Sequence, residues 1–113
     1  MKRDESPLLT PQRLAEAREM GEKLNRLRIA RRLRQADVAR RAGMSRSTAI
    51  LIEHGDIGRT VAQILRYLDA IAPGLPLIAL MQESDPSLLA LKTREATQRV
   101  GALGEKERKD LDF

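Results

Sequence analysis

Apolar residues along this chain recur mostly at spacings of three and four, the period of an amphipathic helix. The first run opens at Thr10-Pro11, an N-cap followed by proline at the first helical position, and carries Leu14, Ala17, Leu24 and Leu27 to about Arg32. Gly21 falls inside it as a point of low helix propensity. A second, short helix is predicted over Gln35–Ala42, with Val38, Ala39 and Ala42 inward and Gly43 ending it in left-handed backbone. Met44-Ser45 completes a turn, Ser45 caps a third helix running to about His54, and Gly55 stops it. Thr60-Val-Ala-Gln63 reads as a capping box opening a fourth helix. Val61, Ile64, Leu65, Leu68 and Ile71 are expected to face inward there, with Pro73-Gly74 beyond the end.

The stretch "LPLIALM", 75–81, fits either a helical turn or a short extended strand. Its length, the flanking Pro and Gly and the polar QESD that follows favour the strand. A lone strand cannot satisfy its own backbone, so its natural partner is the same strand of a second subunit, with Leu75, Leu77, Ile78 and Leu80 at the interface. Asp85-Pro86 opens a further helix on which Leu89, Thr93, Ala96, Val100 and Leu103 form a coiled-coil-like stripe. The chain thus divides into a flexible N-terminus (1–9), a helical domain (10–73), a dimerisation strand and linker (74–84) and a C-terminal helical segment (85–113).

The third helix poses the sharpest question. On a helical wheel Ala49, Ile52 and Glu53 share one face, while Ser47, Ile50, Leu51 and His54 point roughly the other way. Two large aliphatic residues therefore face outward from a short helix that already has a packing face. A short helix, a glycine turn and a second helix packed in this way form the helix-turn-helix arrangement, in which the second helix lies in the DNA major groove.

Charge adds to that picture. The net charge of the 113 residues is +5, a mild excess that favours an anionic partner without identifying one. Its distribution says more: Arg26–Arg59 holds nine arginines (26, 28, 31, 32, 34, 40, 41, 46 and 59), no lysine and three acids, net +6. Arginine without lysine suits phosphate and base contacts, because the guanidinium is a planar fork of donors. Tyr67 and Phe113 are the only aromatics, so aliphatic side chains must build the core. With no cysteine there is no disulfide or thiolate metal site. No signal peptide or 18-residue apolar span is evident, and the expectation is a soluble, cytoplasmic, nucleoid-associated bacterial protein.

Catalytic chemistry finds no constellation. His54 is the only histidine and reads as an edge residue of the third helix, near phosphate or solvated, with no metal. Ser45, Ser47 and Thr48 lack a base partner, and "GDIG" lacks the context of a phosphate loop. A non-enzyme without cofactor is expected.

The stretch "LNRLRIARRLRQADVARRAGMS", the "IEHG" that follows and "GRTVAQILRYLDAI" resemble the Xre-type helix-turn-helix family of phage and bacterial repressors, which includes HipB-like antitoxin-repressors of toxin–antitoxin operons. The resemblance covers residues 24–72 and implies a mostly α, five-helix repressor-like domain that binds a palindromic double-stranded operator as a two-fold homodimer. It implies that Gln35 touches the phosphate backbone and steadies the first base contact. Arg46 and Ser47 match the first outward positions of the recognition helix, about 45–54, and Ile50 and Leu51 the next two. Arg59 and Thr60 match phosphate contacts, and Arg28 and Glu53 a buried ion pair. The residues support that pair independently: Arg28 shares a face with Leu24 and Leu27, and Glu53 with Ala49 and Ile52.

Two departures from the family pattern matter. Arg34 stands where Thr or Ser usually caps the second helix, which loses about 1 kcal/mol of capping but adds a cation near phosphate, where Arg40 is also expected. Ile50 and Leu51 occupy slots that are usually polar. Three readings are open for them: contact with thymine methyl groups, packing against further protein such as the N-terminal extension or a partner, and loss of DNA binding in favour of a protein interface. The dense arginines oppose the third. The leading function is a transcriptional repressor; the alternative is an antitoxin or interaction protein whose segment 82–113 binds a toxin or other partner, with DNA binding autoregulatory or lost.

Overall fold

The computed structural model describes the backbone of residues 4–83 and 85–111, and the side chains of that set up to Arg99. A 3-10 turn, Ser6–Leu8, precedes α1 (Pro11–Ala30), α2 (Gln35–Ala42), α3 (Arg46–Glu53), α4 (Val61–Ile71), α5 (Leu77–Met81) and α6 (Pro86–Leu111). Helix starts follow local chemistry. Thr10 accepts from the Arg13 N–H at 3.2 Å and Ser45 from the Thr48 N–H at 3.1 Å. Thr60 and Gln63 close a reciprocal capping box at 3.0 and 2.9 Å. Gly43 ends α2 at φ 69°, where Gly has no Cβ to clash.

One core joins these helices. Leu24 and Leu27 of α1, Val38, Ala39 and Ala42 of α2, Ala49 and Ile52 of α3 and Leu68 and Ile71 of α4 pack around Tyr67. α2 lies against both α3 and α4, and α1 against α3, α5 and α6. Gly21, far from being a weak point, is where α1 meets the end of α3. A Cβ at Gly21 would lie 2.6 Å from the Gly55 nitrogen and 2.7 Å from the Ile52 oxygen.

The inward face of α4 departs from expectation. Val61 and Leu65 face solvent, while Tyr67, one position before Leu68, is wholly buried. The stripe is Ile64, Tyr67, Leu68 and Ile71, spaced three, one and three. An aromatic whose hydroxyl finds a buried acceptor outcompetes two aliphatics at the helix edge.

The stretch 75–81 is not a strand, and no strand occurs among the described residues. Pro76 is extended and stands as the N-cap of α5, and its carbonyl accepts from the N–H groups of Ala79 and Leu80 at 3.0 and 3.3 Å. A strand would put Ile78 and Leu80 on one face. The helical turn separates them, burying Leu80 completely and leaving Ile78 65% exposed. It also satisfies backbone groups within the segment, which a lone strand cannot do. Leu75, Leu77 and Leu80 therefore serve this chain's own core rather than an inter-subunit ladder.

α6 is held on α1 by fully buried Leu88 and by charge pairs. Arg26 meets Glu95 at 2.6 Å, Arg31 meets Asp85 at 2.8 Å, and Lys23 meets Glu83 at 3.0 Å, with Lys92 also on Glu83. Asp85 caps the helix through the Ser87 N–H at 2.9 Å. Leu89, Thr93 and Ala96 face away from the domain. Val100 and Leu103, the rest of the stripe, lie outside the described side chains.

Candidate nucleic-acid interface

The inner face of α3 is anchored through one carboxylate. Glu53 accepts from Arg28 Nε at 2.8 Å and Nη2 at 3.0 Å, from Asn25 Nδ2 at 2.5 Å, and from the Tyr67 hydroxyl. Arg28 also donates to the Leu33 carbonyl at 3.0 Å, so it ties the α1–α2 connection to the same point. Burial pushes the Glu53 pKa up, but hydrogen bonds from Arg28, Tyr67 and Asn25 outweigh it, and the carboxyl is held below its ordinary value. Burial first, then the adjacent Glu53 carboxylate, pushes the Tyr67 hydroxyl pKa upward. The end of α3 is thus bonded to α1 and α4, with no buried side-chain polar atom left unpaired among the described residues.

The outer face of α3 carries Arg46, Ser47, Ile50 and Leu51, all exposed, with exposed His54 at its C-cap. Ile50 and Leu51 are each 37% exposed but have different surroundings. Ile50 shares a groove with Gln35, the first residue of α2, and with His54, Glu22 and Asn25. Leu51 borders a second groove, with the N-terminal segment Asp4–Ser6 and the loop Asp56–Arg59.

The arginines divide into two groups. Of the nine between Arg26 and Arg59, five have a carboxylate: Arg26–Glu95, Arg28–Glu53, Arg31–Asp85, Arg40–Asp37 and Arg59–Asp56. Among the described residues Arg32, Arg34, Arg41 and Arg46 have none, and all four are exposed. Arg40 is open as well, its side chain 79% exposed beside an i,i+3 acid that holds it weakly. Arg59 differs from an open phosphate ligand: its side chain is 9% exposed and turned onto Asp56 at 3.1 Å. Thr60 uses its hydroxyl on the Gln63 N–H. Arg34, at the N-cap of α2, makes no side-chain cap and leaves its guanidinium to solvent.

The anchoring residues Asn25 and Tyr67 did not emerge from the sequence, nor did Arg66 of α4, which donates to the Ala42 and Gly43 carbonyls. Asn25 was within reach, one turn before Arg28 on the same face of α1. Arg66 lies off the apolar stripe, and no spacing signals it.

Two packed helices joined by the Gly43 turn, the second anchored inward and bordered by open arginines, define a helix-turn-helix domain. Residues 19–77, more than half of the chain, match the family described as helix-turn-helix domain. The chain belongs to this family, a class of DNA-binding domain. No curated protein and no solved structure matches it. No described helix is long and apolar enough to cross a membrane.

Proposed function

We propose that this chain is a sequence-specific transcriptional repressor of the Xre type that binds a palindromic operator as a homodimer, with α3 in the major groove. The observation that carries the reading is the sorting of arginines. Those on the α1 side are neutralised by carboxylates, while Arg32, Arg34, Arg41 and Arg46 around α2 and α3 stay open to an anion. Phosphates are met by these and by Arg40, Gln35 and the α4 N-terminus at Thr60. Base edges are read by Arg46, Ser47 and Ile50. The exposed outer face of α5 at Ile78 and Met81 is the seam between the two copies.

The test is a salt titration with duplex selected by the chain from a randomised pool. With about 6–8 phosphates neutralised per dimer, affinity falls by several orders of magnitude between about 50 and 200 mM salt, log K following log salt with a slope near −0.9 per phosphate. A flat response removes the electrostatic basis of the proposal.

A second reading has its own observation. Leu89, Thr93 and Ala96 of α6 face solvent rather than this chain. In that reading α6 receives a protein partner, such as the toxin of an antitoxin pair, and DNA binding is autoregulatory.

A further inference from the structure

Arg66 makes three hydrogen bonds to the end of α2 that neither the core nor the outer face of α3 requires. Its Nε and Nη2 donate to the Ala42 carbonyl at 3.0 and 2.8 Å, and Nη2 donates again to the Gly43 carbonyl at 2.8 Å. These two residues are the last of α2 and the first of the turn into α3. Two carbonyls nearby are met locally: Arg40 O accepts from the Gly43 N–H at 3.1 Å and Ala39 O from the Met44 N–H at 3.0 Å. Arg66 supplies what the turn cannot supply for itself. It also places a cation at the negative end of the α2 dipole.

We infer that Arg66 is a positioning residue for DNA reading: by pinning the Ala42–Gly43 carbonyls to α4, it sets the angle at which α3 leaves the turn. The geometry favours a lever. α3 is held at its far end, where Glu53 meets Arg28, Asn25 and Tyr67, and at its near end by the short turn that Arg66 clamps. Losing the near clamp leaves α3 fixed at the end remote from Arg46 and Ser47, the residues that open it. Gly43 suits this arrangement, since a Cβ there would come within 3.3 Å of Arg66 Nη2. Lysine is a poor substitute, because Nε and Nη2 grip the Ala42 carbonyl together in a planar fork that one ammonium lacks.

The inference rests on the DNA-binding reading, and its test separates the two. Wild type, Arg66→Lys and Arg66→Ala are titrated with the duplex selected by wild type and with a scrambled duplex of the same composition. Leu88→Ala serves as a control that loses stability away from the turn. Circular dichroism sets the folded fraction of each. The expected result is a fall of about tenfold in the ratio of selected to scrambled affinity for both Arg66 variants. The salt slope on scrambled duplex stays unchanged, and the ratio for Leu88→Ala stays at the wild-type value. A salt slope reduced by about one unit per subunit would instead make Arg66 a direct phosphate ligand and overturn the inference. So would a wild-type ratio in Arg66→Lys or Arg66→Ala, which leaves Arg66 a role in stability alone. A wild-type chain that enriches no sequence from the pool overturns the DNA reading, and this inference with it.

Discussion

Removing the Glu53 carboxylate leaves the Arg28 guanidinium facing Asn25 and Tyr67 with no anion between them. Glu53→Ala should therefore cost about 3–5 kcal/mol in urea unfolding, a large part of the stability of a small domain. Replacing Glu53 and Arg28 together with apolar residues should cost much less; equal losses would show that the two are not coupled. The pH dependence has a definite sign. The folded carboxyl pKa lies below its ordinary value of 4.5, so its stabilisation is complete above that value and is lost as pH falls through the folded one. Glu53→Gln should flatten the acid limb of stability without creating a new alkaline one. At the outer face, Ile50 opens toward Gln35, whereas Leu51 borders the N-terminal segment. Under the proposed DNA reading, Ile50 is the residue expected to meet a thymine methyl. Uracil in place of that thymine should weaken binding by about 0.5–1 kcal/mol, an effect that Ile50→Ala abolishes and Leu51→Ala retains. Equal affinity for the two duplexes in wild type would remove the methyl contact.

Among the elements, α6 stands apart in how it is held. Leu88 anchors it and Leu91 packs beside the core, and ion pairs add the rest of its hold on α1. The pKa of Asp85 is raised by burial, yet lowered overall by hydrogen bonds from Ser87 and Arg31; that of Glu83 is lowered by Lys92 and Lys23. Both groups stabilise the docked helix above the ordinary carboxylate range and stop doing so as they protonate. Protection factors of the amides along the early turns of α6 should thus fall as pH falls, before those in α4 do. Simultaneous opening of both helices would mean that α6 is part of the central cooperative unit. α5 belongs to this scale as well. Five residues are too few for periodicity to separate a helical turn from a strand, which is why 75–81 read as extended.

For the molecule as a whole, the central domain was legible because several local signals agreed. Gly43 and Ser45 bounded the turn, Ala49, Ile52 and Glu53 shared a face, and the capping box at Thr60 fixed the start of α4. What stayed hidden was set by long-range partners. Tyr67 turned inward in place of Val61 and Leu65, because Glu53 is brought near it only by folding. The radius of gyration, 17.4 Å, exceeds the roughly 13 Å of a compact chain this long, and with extents of 62 × 33 × 25 Å it reflects the length of α6. Two copies joined through α5 would present two α3 helices to successive turns of one face of the duplex. Ile78→Arg, on the exposed side of α5, should shift the chain to monomer in sedimentation and weaken binding to a palindrome while sparing a half-site. A wild-type monomer that still binds the palindrome tightly would exclude this assembly.

The contact between Gly21 and Gly55 has a consequence for anyone engineering the chain. Gly21 sits mid-helix, so any scheme that scores helix propensity will nominate Gly21→Ala as a stabiliser worth about 1 kcal/mol. Here the added methyl meets three backbone atoms of residues 52, 53 and 55 at 2.6 to 2.8 Å, and backbone cannot swing aside as a long side chain would. One of the two helices, α1 or α3, must give way at this crossing. A change chosen to make the protein hardier would instead disturb the crossing that seats α3, and the outer face of that helix would be moved by a lesion that lies outside it.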